Sequence, residues 1–176
     1  MRNRYLFTCL TTLAAVSSAG AQTRPDFSGD WVRNDSAEQR SVATVGDASF
    51  RVGNMGSGWG SPLTIRQDTN RLTVEYAFFG TYDLQPKLSL SFALDGSESR
   101  NSIMLSHAES VLRSRATWRD STLVITTTYP APAGVSGGTE VRQVLMLQSP
   151  TSLVLETTRS GGSGASQTLR TTYTKR

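Results

Sequence analysis

Only one histidine and one cysteine occur among the 176 residues, His107 and Cys9. That count removes a histidine pair for a metal, a second imidazole for a proton relay, and any disulfide or paired-thiolate site. One imidazole can still act as a base, but His107 stands in Ser106-His107-Ala108-Glu109, which reads as a loop or strand edge. The carboxylates offer little more. Asp68, Asp95 and Asp120 each fall one or two residues past an alternating apolar run, where a short acidic side chain favours a tight reversal. Glu75 and Glu156 hold matching places in two such runs, opposite the face carrying Leu72, Val74 and Tyr76 in one and Leu153 and Leu155 in the other. With the leucines inward both glutamates face water, and nothing sets them around a substrate as a catalytic pair.

Arg113 and Arg115 share one face of a run whose other face, Leu112, Ser114, Ala116 and Trp118, is the better core. Turned inward they would demand an anionic ligand; the pattern turns them outward. The segment Gly53-Asn54-Met55-Gly56-Ser57-Gly58-Trp59-Gly60 is rich in glycine but has no Lys-Ser/Thr ending and opens no helix, so it is not a phosphate cradle. Met55 and Trp59 within it fit two descriptions. They could form a lid touching an apolar ligand at a barrel mouth, or belong to a connection whose Trp59 tucks against the outer wall.

These residues must be positioned by strands. From Phe27 onward Val, Ile, Leu, Thr and Tyr alternate with polar residues between turn signals. Leu63–Gln67 turns at Asp68-Thr69-Asn70 and returns as Leu72–Tyr76. Leu112–Trp118 turns at Arg119-Asp120-Ser121 and returns as Leu123–Tyr129. Val141–Leu147 turns at Ser149-Pro150-Thr151 and returns as Leu153–Thr158. Each is a hairpin with one apolar face. Lys87–Leu94 and Gln167–Lys175 add further alternating runs, and helical spacing is confined to Ser36–Arg40 and Met104–Val111, the latter ambiguous with strand. The fold expected is all-β: an antiparallel up-and-down barrel of about eight to ten strands, closed because an open sheet of that length leaves sticky edges.

The opening Phe27-Ser28-Gly29-Asp30-Trp31 resembles the first strand of the lipocalin or calycin superfamily, whose mark is Gly-x-Trp. Together with Trp118-Arg119-Asp120-Ser121-Thr122-Leu123-Val124-Ile125, it resembles a group of small secreted bacterial proteins of lipocalin-like type. The resemblance implies a barrel floor in which Trp31, approached through Gly29, plugs the closed end while a late basic residue packs across its ring. Arg170 is the candidate for that partner and Arg176 the second. A guanidinium can stack on the ring and still hydrogen-bond to nearby carbonyls. The resemblance implies no activity.

Arg2 and Arg4, an apolar run from Tyr5 to Val16, and Ser18-Ala19-Gly20-Ala21 have the order of a cleavable export signal, placing a cut before Gln22. The apolar run is too short to span a bilayer and no second one follows. The expected division is therefore a signal peptide over 1–22 and a barrel domain over 23–176, periplasmic or secreted, without integral membrane segment. Removing the leader removes Cys9 and two arginines, so the net charge of +4 falls toward neutrality, which is no nucleic-acid footprint.

The leading functional expectation is non-catalytic binding of a small apolar or amphipathic ligand, with Leu72, Val74, Tyr76, Leu90, Phe92, Leu123, Ile125 and Tyr129 as inner wall and Met55 and Trp59 at the mouth. No metal, cofactor or catalytic residue is assigned. The same wall equally suits a filled core, in which case the outer strands and the glycine-rich loop would serve an envelope protein partner. A third possibility is an enzyme using His107 or a carboxylate.

Overall fold

The computed structural model describes residues 24–34, 59–60, 62–76, 88–105, 108–130, 138–160 and 166–176. The leader, Met55, His107 and the run 36–40 lie outside the described residues. Ten strands are present among them: β1 (Gly29–Arg33), β2 (Leu63–Gln67), β3 (Arg71–Tyr76), β4 (Leu88–Ala93), β5 (Glu98–Leu105), β6 (Ala108–Arg119), β7 (Thr122–Tyr129), β8 (Thr139–Ser149), β9 (Ser152–Ser160) and β10 (Gln167–Lys175). The ambiguous stretch Met104–Val111 resolves as the end of β5 and the start of β6. No helix of the described residues is long and apolar enough to cross a membrane.

All the pairings are antiparallel, and the ladder runs β4-β3-β2-β1-β10-β9-β8-β7-β6-β5. Its two outermost members, β4 and β5, are consecutive in sequence, so the sheet curls until they meet and the up-and-down meander becomes a nearly closed barrel. The seam between them is held by side chains. Asn101 on β5 accepts from the Ser91 backbone N–H at 2.7 Å and donates its amide to the Ser91 carbonyl at 3.1 Å, while Ser99 Oγ accepts from the Ala93 N–H at 2.8 Å. Asn101 thereby does for β4 what a neighbouring strand's peptide groups would do, and the edge is not left bare.

Strict alternation follows from the pleat. Leu63 and Ile65 of β2, Leu72, Val74 and Tyr76 of β3, Leu88, Leu90 and Phe92 of β4, Leu123 and Ile125 of β7, and Leu153 and Leu155 of β9 are all buried together in one core. Their neighbours Arg66, Arg71, Arg113, Arg115 and Glu140 are exposed. The outer face also carries a short apolar stripe, Val124, Val144 and Val154 across β7 to β9, which is buried as well.

A meander places its connections alternately at the two ends. At the first end lie the turns 68–70, 94–97, 120–121 and 150–151, with the start of β1 and the end of β10. Asp68 Oδ1 accepts from the N–H groups of Asn70 and Arg71, Asp95 Oδ1 accepts from that of Ser97, and Asp120 takes the left-handed conformation (φ 54°) that a short polar side chain tolerates. The turn carboxylates thus act as scaffolding. At the second end β1, β3, β5, β7 and β9 finish and β2, β4, β6, β8 and β10 begin.

Candidate functional site: the interior of the barrel

The first end is a built floor. Trp31 is wholly buried and donates its indole N–H to the Phe27 carbonyl at 3.0 Å. Phe27 in turn stacks on Trp118 at 5.9 Å, and the Arg24 guanidinium lies 5.4 Å from the Trp118 ring centre on the outside. Gln67 fixes the segment that carries Phe27: its side chain accepts from the Phe27 N–H and donates to the Pro25 carbonyl, and its own N–H donates to Ser28 Oγ. Bonds from the Ser28 hydroxyl and N–H hold the Asp26 carboxyl below its usual range. Outside this floor Arg24, Asp26, Asp68, Leu94 and Trp118 line an open cleft of about 310 Å³.

The cation on the Trp31 ring is Lys175, with Nζ 5.4 Å from the centroid. The expectation named Arg170, and that assignment is corrected by parity. Thr171 and Tyr173 of β10 face inward and are buried, so Lys175 shares their face, whereas Arg170 is exposed on the outer face opposite Glu156. The same geometry explains Gly29. Its φ of +142° belongs to glycine, and a Cβ there would run into the Lys175 side chain.

Moving toward the second end, the wall changes character between two halves. On β2 to β4 it is aliphatic and aromatic: Leu63, Ile65, Val74, Leu88, Leu90 and Tyr76. On β6 to β10 hydroxyls and amides appear at inward positions: Ser114, Thr127, Gln143, Thr157 and Thr171 are all buried. Ser114 and Thr127 satisfy each other at 2.9 Å, but Thr157 Oγ1 has no hydrogen-bond partner. Arg159 follows Thr157 on the inward face of β9, paired with Val141 of β8, and is half-buried.

Of the expected inner-wall residues, Leu72, Val74, Tyr76, Leu90, Phe92, Leu123 and Ile125 are buried in one cluster, with Tyr129 packed against it. Burial, aided by the neighbouring Tyr129 and Tyr173, pushes the Tyr76 hydroxyl far above its ordinary range. Burial pushes Tyr129 up to about 12, with Arg159 pulling the other way. Both are neutral hydrogen-bonding groups at physiological pH.

Trp59 sits in neither place the sequence suggested. It is inside, 3% exposed, its ring 6.4 Å from that of Phe92, and its carbonyl accepts from the Tyr173 hydroxyl at 2.6 Å. Its indole N–H is buried and has no partner. Trp59, from the connection between β1 and β2, thus occupies space that the strands themselves do not fill.

Arg113 and Arg115 are exposed, and Glu75 lies outward with Arg66 4.0 Å away. Among the described residues no cluster of three His, Cys, Asp or Glu could hold a metal. One run that composition-based reading passes over, Gly134-Val135-Ser136-Gly137-Gly138, has the spacing of a nucleophile elbow. It joins two strands rather than a strand and a helix, and 131–137 lie outside the described residues. Sequence reasoning also missed Gln67, Asn101, Thr157 and Arg159. Gln67 and Thr157 carried a signal, a polar residue at the inward position of an alternating apolar run, whereas the polar surroundings of Asn101 and Arg159 gave none.

No protein-family model matches the chain, and no curated protein is similar to it in sequence. Among solved structures, a mutant of the fluorescent protein UnaG is similar to it in shape: 18% identical, covering 85% of this chain and 96% of that one, with a TM-score of 0.46. A likeness at that level carries no functional argument, and the assignment to a ten-stranded antiparallel up-and-down barrel rests on this chain's own strand register.

Proposed function

We propose that this protein is a non-catalytic binding barrel that takes one small apolar or amphipathic molecule through its second end. The observation that carries the reading is Trp59. An interior completed by its own strands would leave no room for a loop indole, yet Trp59 lies inside, stacked on Phe92 and bonded through its carbonyl to the Tyr173 hydroxyl, with its indole N–H unpartnered. A ligand of comparable size could share or take that space. The lipocalin-like opening Gly29-Asp30-Trp31 agrees with this use of a barrel. Export belongs to the same proposal and rests on the leader sequence; N-terminal sequencing of the protein from its native cell should begin within a residue or two of Gln22.

The experiment is a titration with the apolar fluorophore N-phenyl-1-naphthylamine. One equivalent should bind per barrel, enhance dye emission, quench tryptophan and raise the melting temperature with dye concentration, as linkage requires. Absence of any shift at saturating dye sinks the reading. The competing description treats Trp59 as a permanent core residue and the protein as a module for an envelope partner; the nearly complete burial of the indole favours it. Failure of the dye together with co-purification of one protein would establish that alternative.

A further inference from the structure

The outer wall carries its charge unevenly. On two of its strand pairs a cation is matched by an acid: Arg170 of β10 lies directly opposite Glu156 of β9, and Arg66 of β2 has Glu75 of β3 4.0 Å away. The β5–β6 hairpin departs from that pattern. Its outward rungs set Glu98 against Arg115 and then, closer to the second end, Arg100 against Arg113, two guanidiniums on facing positions.

Facing positions of an antiparallel ladder hold their Cβ atoms about 4.5–5.5 Å apart, and like charges there work against the sheet. Glu98 is the one carboxylate among these three cations. It accepts from Arg100 Nε at 3.0 Å, and that bond, with the charges of Arg113 and Arg115 added to it, holds the carboxyl below its usual range. Arg115 reaches back to the Gly96 carbonyl at 3.2 Å. Among the described residues no ion pair or hydrogen bond holds the Arg113 side chain. All three arginines are exposed. Such a cluster opposes the local rules of sheet stability without serving the core, and a fold keeps that kind of conflict where a contact needs it.

The neighbouring outward positions, Ser102, Thr117, Thr126 and Thr128, supply hydroxyls and no aromatic ring. The face therefore lacks the platforms on which single-stranded nucleic acid stacks. Val111, 48% exposed at its margin, is too little apolar surface to enter a bilayer. Arginines anchored about 5–7 Å apart by ladder and pleat suit carboxylates repeated along a chain, each gripped by a planar fork. The threonine hydroxyls suit the sugars between them.

The geometry points to the outer face of β5 and β6 as a docking surface for a linear acidic polysaccharide, engaged by Arg100, Arg113 and Arg115. It is a second surface, independent of what the interior holds.

The test is binding of polygalacturonate to the mature protein in a series of sodium chloride concentrations, with uncharged dextran as control. Binding should weaken steeply with salt, as release of condensed counterions requires, and dextran should not bind. Arg113→Gln combined with Arg115→Gln should weaken binding about tenfold or more, the scale of charge-assisted hydrogen bonds. Removing the same charge elsewhere, by Arg66→Gln with Arg170→Gln, should leave it nearly unchanged. The urea midpoint of Arg113→Gln should hold or rise, because a repulsion is relieved. Equal losses from the two double variants would show that net charge alone acts, and overturn the inference. So would a lowered midpoint in Arg113→Gln, no binding of polygalacturonate by the natural protein, or tighter binding of oligo-dT or phosphatidylglycerol vesicles than of polygalacturonate.

Discussion

The floor of this barrel and the interior above it differ in how their polar groups are met. At the floor a dense set of polar groups is paired: the Trp31 indole meets the Phe27 carbonyl, Gln67 ties Pro25, Phe27 and Ser28 to β2, and the Asp68 and Asp95 carboxylates close their turns, while the buried Trp118 indole N–H is the exception. Above the floor the interior holds a loop tryptophan against Phe92 and Tyr173, and on β9 a threonine on the same face as half-buried Arg159; the tryptophan N–H and the threonine hydroxyl are buried and unpartnered. Among the described residues two of the three buried unpartnered side-chain atoms, on Trp59 and Thr157, thus lie inside the barrel, and the third, on Trp118, lies at the floor. Unpaired buried donors are costly in a fold that gains nothing from them.

Comparing two tryptophans is the sharpest way to break this contrast. Trp31→Ala should cost about 3–5 kcal/mol, the range for a fully buried aromatic, because it empties the floor and strands the Phe27 carbonyl. Trp59→Ala should cost clearly less in the same urea titration and should tighten dye binding. Equal losses would mean that Trp59 is ordinary core and that loop and floor tryptophans do not differ.

Next in size is the seam. Asn101→Leu keeps volume but removes both bonds to the Ser91 peptide, exposing an edge of β4 inside a nearly closed ring. A loss of about 1–3 kcal/mol is expected, with faster hydrogen exchange at Ser91 than at Val74 in the paired interior of β3. Unchanged exchange at Ser91 would show that the ring is closed by something other than this amide.

The tyrosines supply a test by pH. Tyr76 and Tyr129 have folded-state values raised above the ordinary value of about 10, Tyr129 to about 12. A raised acid favours the folded protein only while it keeps its proton. Their stabilising contribution is therefore complete below about pH 10 and is lost as pH climbs from there through about 12, when the unfolded chain ionises first. Denaturation midpoints should fall across that window, and phenolate absorbance should rise late and together with unfolding. Two tyrosines titrating normally in the native protein would place those hydroxyls in water.

Smallest is the cation on the floor. Lys175→Met should cost about 0.5–1 kcal/mol through the lost contact with the Trp31 ring, whereas Arg170→Met, on the outer face of the same strand, should stay within about 0.5 kcal/mol. The reverse order would restore Arg170 to the role that the family resemblance suggested.

The strand plan was legible because its cause is local. Hairpins such as Leu63–Gln67 with Leu72–Tyr76 alternate without interruption and turn at residues suited to reversals, so their inward faces could be named in advance. Strand β5 was harder to name, since its inward face begins with Ser99 and Asn101. Those residues are polar because they serve the backbone of β4, a partner that exists only once the ring has closed. Arg170 was misassigned by one step of parity, which a turn elsewhere decides, and Arg159 was passed over because inwardness is not visible at the end of a strand whose last residues are all polar.

The amino-acid sequence by itself determined the strands, their turns and which face of most of them is greasy, because a two-residue period and a reversal signal act over a few neighbouring positions. Tertiary structure alone decided which cation covers Trp31, which side chains stitch β4 to β5, and that Trp59 lies within the wall it was expected to cover. Those outcomes depend on distances between residues up to 144 positions apart, as for Lys175 and Trp31, and such distances are fixed only by the tilt and closure of the whole sheet.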